Sequence, residues 1–277
     1  HYDRVCIPVP LYHCFGMVLG TLACCAAGAT MIYPSEGFEP DKTMHALKSE
    51  SCTAVHGVPT MFSAMLASSE FNGKPIKSLR TGIMAGSQCP EVLMRRVLYD
   101  LGCSEITIAY GMTETSPISF QSDVNDPVDV RVSTVGRIQP HCEVKIVEDD
   151  GSTCAVGQTG ELWTKGYLVM KGYWNDTEAT QSSIENGWMK TGDLATIDNE
   201  GFCRIVGRKK DMVIRGGENI YPAELEEFLT AQKGILEAHV FGIPDEKFGE
   251  QLVAWIIVEE GAALDETSIP VSYTHLR

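Results

Sequence analysis

The chain has 277 residues, 44% of them hydrophobic and 21% charged, ordinary values for a globular protein long enough for one large domain or two. Its net charge of −15, with basic pairings only at Arg95–Arg96 and Arg208–Lys210, excludes a nucleic-acid partner held by clustered cations. Ten cysteines without one C-x-x-C pair predict neither a zinc site nor a disulfide framework, but reduced, buried thiols in a cytoplasmic protein.

From Val5 to Ser35 no charged residue occurs, a span long enough to cross a bilayer. Pro8, Pro10, His13, Gly16, Gly20 and Gly28 interrupt it, so it reads as the core of an α/β domain. Cys6–Val9 is a strand end, Phe15–Ala27 a buried helix and Thr30–Tyr33 a strand. Helix Pro40–Ser49 follows, then strand Ala54–Val55, helix Pro59–Ala67, strand Thr81–Met84, helix Pro90–Leu101 and strand Ile106–Tyr110. Strands separated by helices of about ten residues predict a mainly parallel sheet covered on both faces, with ligands beyond the carboxyl ends of its strands. Ala85-Gly86-Ser87 and Tyr110-Gly111-Met112 lie at two such ends.

From about Val135 the rhythm changes to short strands, Val144–Val147, Gly160–Thr164, Trp188–Lys190, Leu194–Ile197 and Phe202–Val206, with one weak helix near Glu178–Ile184. Turn signals between them predict a small antiparallel β subdomain or barrel. Gly207–Glu226, GRKKDMVIRGGENIYPAELE, then reads as a joint between two bodies. Its Arg208-Lys209-Lys210-Asp211 run cannot be buried without partners, Gly216-Gly217 allows a tight turn, and Pro222 opens a helix with Leu225, Phe228 and Leu229 on one face. Strands Ala238–Gly242 and Gln251–Val258 complete an α+β module. The predicted fold is therefore α/β and β: a parallel-rich sheet with helices on both faces, a small β-barrel-like subdomain, and a small mobile α+β C-terminal domain. The expected boundaries are 1–134, 135–209 and 210–267, with Ser268–Arg277 a disordered or foreign tail.

Taken singly, the candidate functional residues are ambiguous. Thr113 could bond a phosphate oxygen and Glu114 could hold Mg²⁺, or the pair could be the polar start of a helix. Asp193 could accept from a ribose diol or sit in a hairpin turn. Arg208 could assist it or form a surface ion pair. His13 could face a carboxylate or be a hydrogen-bonded core histidine.

Their order removes much of this ambiguity. PLYHCFG at 10–16, AGS at 85–87, YGMTE at 110–114, GELWTKG at 160–166, KTGD at 190–193 and the 207–226 stretch occur in series. Over His1–Leu264 the chain resembles the acyl-adenylate-forming superfamily, and within it the medium-chain fatty acyl-CoA synthetases. The resemblance implies an AMP-forming ligase: ATP and a carboxylate, a fatty acid in this reading, give an acyl-adenylate and pyrophosphate, and CoA then displaces AMP. It implies roles for His13 beside the acyl carboxylate, Thr113 at the α-phosphate and Glu114 as the Mg²⁺-linked carboxylate. Gly86, Ser87, Tyr110 and Gly111 would surround the adenine, Asp193 and Arg208 would hold the ribose, Lys210 would be the hinge, and Gly216 and Gly217 would approach CoA. The apolar Ile108-Ala109 before YGMTE suits an aliphatic acyl group.

Two expected parts of the pattern are missing. A Thr/Ser/Gly-rich phosphate loop belongs before PLYHCFG, and a lysine belongs after the last strand, where Ser268–Arg277 has none. The expectation is a fragment that adenylates very poorly, its full parent being active. Two alternatives stand beside the fatty acid ligase: a domain loading an amino or aryl acid onto a carrier protein, and a non-catalytic nucleotide-binding fragment. The absence of Asp from Tyr12–Met17 counts against amino acids.

Overall fold

The computed structural model describes residues 3–258 and 261–262; the 268–277 tail lies outside them. The packing of the chain divides it into two units. One holds the residues up to Thr191 and Ala195–Ile205, the other Gly192–Leu194 and the chain from Val206.

The first unit is built on a seven-stranded sheet: β1 (Arg4–Cys6), β2 (Thr30–Ile32), β3 (Ala54–Gly57), β4 (Thr81–Ala85), β5 (Glu105–Gly111), β6 (Ile118–Gln121) and β7 (Arg137–Ile138). Its order is β2-β1-β3-β4-β5-β6-β7, parallel through β5 and antiparallel beyond it. The antiparallel pair is a departure from the sequence reading. Ile118–Gln121 is short, follows a cis Ser116–Pro117 bond, and carries too little alternation to read as a strand.

Helices α1 (Ala23–Ala27, continuing a π-wound segment Phe15–Leu22), α2 (Pro40–Ser49), α3 (Pro59–Ala67), α4 (Glu91–Tyr99) and α5 (Val128–Ser133) cover the sheet. Proline opens α2 and α3, where its missing N–H costs nothing. Three of them bury an apolar stripe: Met44 and Leu47 of α2, Phe62 and Leu66 of α3, and Met94, Val97 and Leu98 of α4. With Cys6, Val55, Met84 and Ile106 from the strands these form the main core. Burying each such side chain contributes roughly 1.5–3 kcal/mol.

A smaller cluster of Val5, Ile7, Val9, Phe15, Cys24 and Ala54 anchors the π-wound segment. The helix 15–27 is therefore not buried all round, as its composition suggests. Phe15, Gly16, Gly20 and Cys24 are buried, whereas Met17 and Leu22 are exposed, because only one face meets the sheet.

The second sheet contains β8 (Cys142–Val147), β9 (Gly160–Gly166), β10 (Ile184–Glu185), β11 (Trp188–Ile197) and β12 (Cys203–Arg208), with α6 (Thr177–Ser183) before β10. Here the sequence reading is corrected. Trp188–Lys190 and Leu194–Ile197 are one strand, not two, and Gly192 (φ +73°) is an irregularity within it. Asp193 thus stands in a strand and not in a hairpin turn.

In the second unit β13 (Val213–Arg215), β14 (Glu218–Ile220), β15 (Ile235–Asp245) and β16 (Gly249–Val258) form a four-stranded sheet in the order β14-β13-β16-β15. Helix α7 (Pro222–Thr230) packs Leu225, Phe228 and Leu229 against Ile235, Ala238 and Val240.

Candidate active site

The parallel strands set the place of the site, since β1, β3, β4 and β5 all deliver their carboxyl ends to one edge of the sheet. After β1 the buried run to Val9 leads into the turn that carries His13, whose amide donates to the Pro10 carbonyl at 3.2 Å. His13 is exposed, and its Nδ1 accepts from the Phe15 amide at 3.0 Å. That bond assigns the ring proton to Nε2 and fixes the ring against the start of the helix. Gly16 makes the turn possible. A Cβ there would lie 2.7 Å from the Val9 carbonyl oxygen and closer still to that of Pro10.

After β4, Gly86 (φ +96°) and Ser87 turn away from the sheet, both exposed. The register pairs Ala85 with Ala109, so Gly86, just past the end of β4, comes level with Tyr110, which is still in β5 and pairs with Phe120 of β6. Tyr110 packs edge-on against Phe120, ring centroids 6.2 Å apart, which fixes its plane. Beyond Gly111, Thr113–Thr115 form one 3₁₀ turn, with the Thr115 hydroxyl accepting from the Met112 amide at 3.1 Å.

The histidine turn and the YGMTE turn meet. Cys14 Sγ lies 3.4 Å from Thr113 Oγ1, which brings together two motifs separated by almost a hundred residues. Glu114 is half-buried, and its Oε1 accepts a 2.7 Å hydrogen bond from the Tyr173 hydroxyl. The bonded carboxylate, then burial, raises the Tyr173 phenol above the ordinary tyrosine value.

Tyr173 and His56 lie outside the motifs, and Cys14 lies inside PLYHCFG without a role of its own in the sequence reading. His56 on β3 is buried, its ring meets Phe15 edge-on at 5.6 Å, and Nδ1 has no partner among the described residues. Burial alone pulls its pKa down to about 4. Of the apolar pair before YGMTE, Ile108 packs into the main core and Ala109 is buried beside it in the strand.

In the second unit, Arg208 Nε stands 3.5 Å from Asp193 Oδ1, with Asp193 largely buried and Arg208 mostly exposed. A largely buried carboxylate beside a guanidinium is an arrangement suited to accepting from hydroxyls. Lys210 lies exposed in the 3₁₀ turn Lys209–Asp211. Gly216 and Gly217 form the two-residue turn of the β13–β14 hairpin with φ +61° and +87°, a left-handed pair that other residues rarely adopt.

Residues 1–174 match the model of the AMP-binding enzyme family, and residues 224–271 that of the AMP-binding enzyme C-terminal domain. The chain belongs to the AMP-binding enzyme family. The putative acyl-CoA synthetase YngI of Bacillus subtilis is 52% identical over 95% of the chain, and acyl-CoA ligase SID4 of Ajellomyces capsulatus is 46% identical over 94%. Mitochondrial medium-chain acyl-CoA ligase ACSF2 of Danio rerio is 45% identical over 93%. Against these the chain spans 48%, 45% and 43% of the relative, about half of each.

Solved structures share this fold. ATP-bound MatB of Rhodopseudomonas palustris superposes with a TM-score of 0.87 at 30% identity, over 96% of this chain and 52% of that one. The o-succinylbenzoate-CoA synthetase MenE of Bacillus subtilis, with its acyl-adenylate intermediate, gives 0.83 at 31%, over 97% and 56%. Among the described residues no helix is long and apolar enough to cross a membrane.

Proposed function

We propose that this chain carries the nucleotide- and acyl-activating site of a fatty acid–CoA ligase. In the first step a carboxylate oxygen attacks the α-phosphorus of ATP, forming an acyl-adenylate and releasing pyrophosphate. In the second the CoA thiol attacks the acyl carbon and AMP leaves. The observation that carries this reading is the contact between the His13–Cys14 turn and Thr113. It supports the reading because it brings the turn that carries His13 against Thr113, near the carboxyl ends of the strands that lead to Gly86, Ser87 and Tyr110.

In this reading Thr113 donates its hydroxyl to an α-phosphate oxygen, and Tyr110 with Gly86, Ser87 and Gly111 encloses the adenine. Asp193, steadied by Arg208, accepts from the ribose hydroxyls. His13, with its proton on Nε2, donates toward the acyl carboxylate. Glu114 offers a hard oxygen donor, and among the described residues no group of three His, Cys, Asp or Glu side chains could form a metal cage. One carboxylate completed by substrate oxygens fits Mg²⁺. When bound there, the ion offsets phosphate charge as the α-phosphorus is attacked. Lys210 acts as hinge and the Gly216–Gly217 turn approaches the pantetheine of CoA.

Medium-chain fatty acids are the substrate class we read for this chain, supported by its similarity to the medium-chain acyl-CoA ligases ACSF2. Ten cysteines, none paired in the structure, fit a reducing compartment, in our reading the cytoplasm. The test is carboxylate-dependent ATP–pyrophosphate exchange with CoA release. It is run on this chain and on a version extended at both ends to its relatives' length, over acetate, longer fatty acids, aryl acids and amino acids. Exchange with medium-chain acids and thioester formation are expected of the extended protein. Exchange with amino acids alone refutes the reading.

A further inference from the structure

The loop after β9, Met170–Asp176, has no part in the chemistry above, yet it is attached to Glu114 at two points. The Met170 amide donates to the Glu114 carbonyl oxygen at 2.9 Å, and the Tyr173 hydroxyl donates to Glu114 Oε1 at 2.7 Å. The first contact fixes the backbone of the residue and the second its carboxylate.

The loop is itself anchored to a helix. Asp176 caps α6 by accepting from the Ala179 amide at 2.9 Å. The Thr180 hydroxyl donates to the Asp176 carbonyl at 2.7 Å and accepts from the Tyr173 amide at 2.9 Å. Gly172 leaves no room for adjustment, since a Cβ there would lie 2.8 Å from Thr180 Cγ2. Of the two adjacent aromatics, Trp174 is 92% exposed, whereas Tyr173 is turned onto the carboxylate.

We propose that Tyr173 is a positioning residue for Glu114, holding Oε1 so that Oε2 is presented to a divalent cation carried by the nucleotide. The proposal rests on the reading of Glu114 as the metal-linked carboxylate. A free glutamate samples several rotamers, and ordering it on metal binding costs free energy that a pre-formed hydrogen bond removes. Tyr173 occupies one of the carboxylate's roughly four acceptor positions and leaves the second oxygen for the cation.

The test is Mn²⁺ binding to the protein complexed with α,β-methylene-ATP, followed by electron paramagnetic resonance. Calorimetry gives the metal-free nucleotide affinity in parallel. Tyr173→Phe is expected to weaken Mn²⁺ binding about 10-fold, the lower end for loss of a partner that orients a ligand, at unchanged metal-free nucleotide affinity. Glu114→Gln should lose more, and adding Tyr173→Phe to it should cost nothing further. Unchanged Mn²⁺ affinity in Tyr173→Phe alongside a loss in Glu114→Gln overturns the role of Tyr173 and leaves that of Glu114 standing. No loss in either variant overturns both. An equal fall in metal-free nucleotide affinity in Tyr173→Phe shows the hydroxyl to be maintaining the loop alone, and also overturns the proposal.

Discussion

His56 gives the sharpest test of the interior. Its ring is buried beside Phe15, Nδ1 has no partner among the described residues, and burial lowers its pKa from 6.5 to about 4. For a base this direction means that the folded protein prefers the neutral ring. Below pH 6.5 the unfolded chain binds a proton that the folded chain refuses until about pH 4. Stability from this group is therefore complete above pH 6.5 and lost as pH falls toward 4. A gap of 2.5 units, taken from 6.5 and 4, corresponds to about 3 kcal/mol at 1.36 kcal/mol per unit. Replacing His56 with Leu removes the titration and keeps an apolar side chain against Phe15. Urea unfolding of both proteins between pH 7 and pH 4 should show the native chain losing about 3 kcal/mol more than His56→Leu, most of it below pH 6. Exposed carboxylates shift both curves alike and cancel in the difference. Parallel curves, or a His56 ring signal by NMR that titrates near pH 6.5, refute the reasoning.

On the reading proposed above, Asp193→Ala should raise the KM for ATP by about 10-fold with a smaller change in kcat, because it removes an acceptor from the sugar and not from the reacting phosphorus. Exchange kinetics on the extended protein measure this, and an effect confined to kcat would contradict it. Gly16→Ala should cost about 1–3 kcal/mol in unfolding experiments, since the new methyl meets two carbonyl oxygens of the preceding turn. Any relief of that clash must move the His13 turn, so activity should fall with stability.

Much of the architecture was legible because its signals are local. Pro40 and Pro59 mark two helix starts that the structure reproduces, and the apolar stripes of α2, α3 and α4 face the core as their spacing requires. What failed was non-local. Gly192 inside β11 carries the same turn signal as a glycine between two strands, and only pairing with neighbouring strands makes the segment continuous. Helix 15–27 reads as buried because composition reports polarity and not which side meets a partner. The site shows the same division. His13, Thr113 and Glu114 sit inside recognisable motifs. Tyr173 reaches Glu114 across fifty-nine residues, through a loop whose geometry depends on Thr180 and Gly172. His56 is one short-strand residue among several, and its isolation follows from burial alone.

On the reading proposed above, a chain of net charge −15 has to hold a polyphosphate without repelling it. Among the described residues the side-chain partner of Glu114 is a phenol and that of Thr113 is a thiol, with no cation at either. A carboxylate about 4 Å from a phosphate oxygen costs roughly 4 kcal/mol per unit-charge pair at a partly solvated site. A nucleotide arriving with its own divalent ion reverses the sign of that contact. On the reading proposed above, Glu114 thus acts twice, disfavouring bare ATP and favouring its metal complex. Calorimetry on the native protein and on Glu114→Gln, each with and without Mg²⁺, separates the two effects. The native protein should bind ATP more tightly with Mg²⁺. Glu114→Gln should bind metal-free ATP more tightly than the native protein does and gain little when Mg²⁺ is added. Equal metal-free affinities for the two proteins would place the Glu114 carboxylate away from the phosphates.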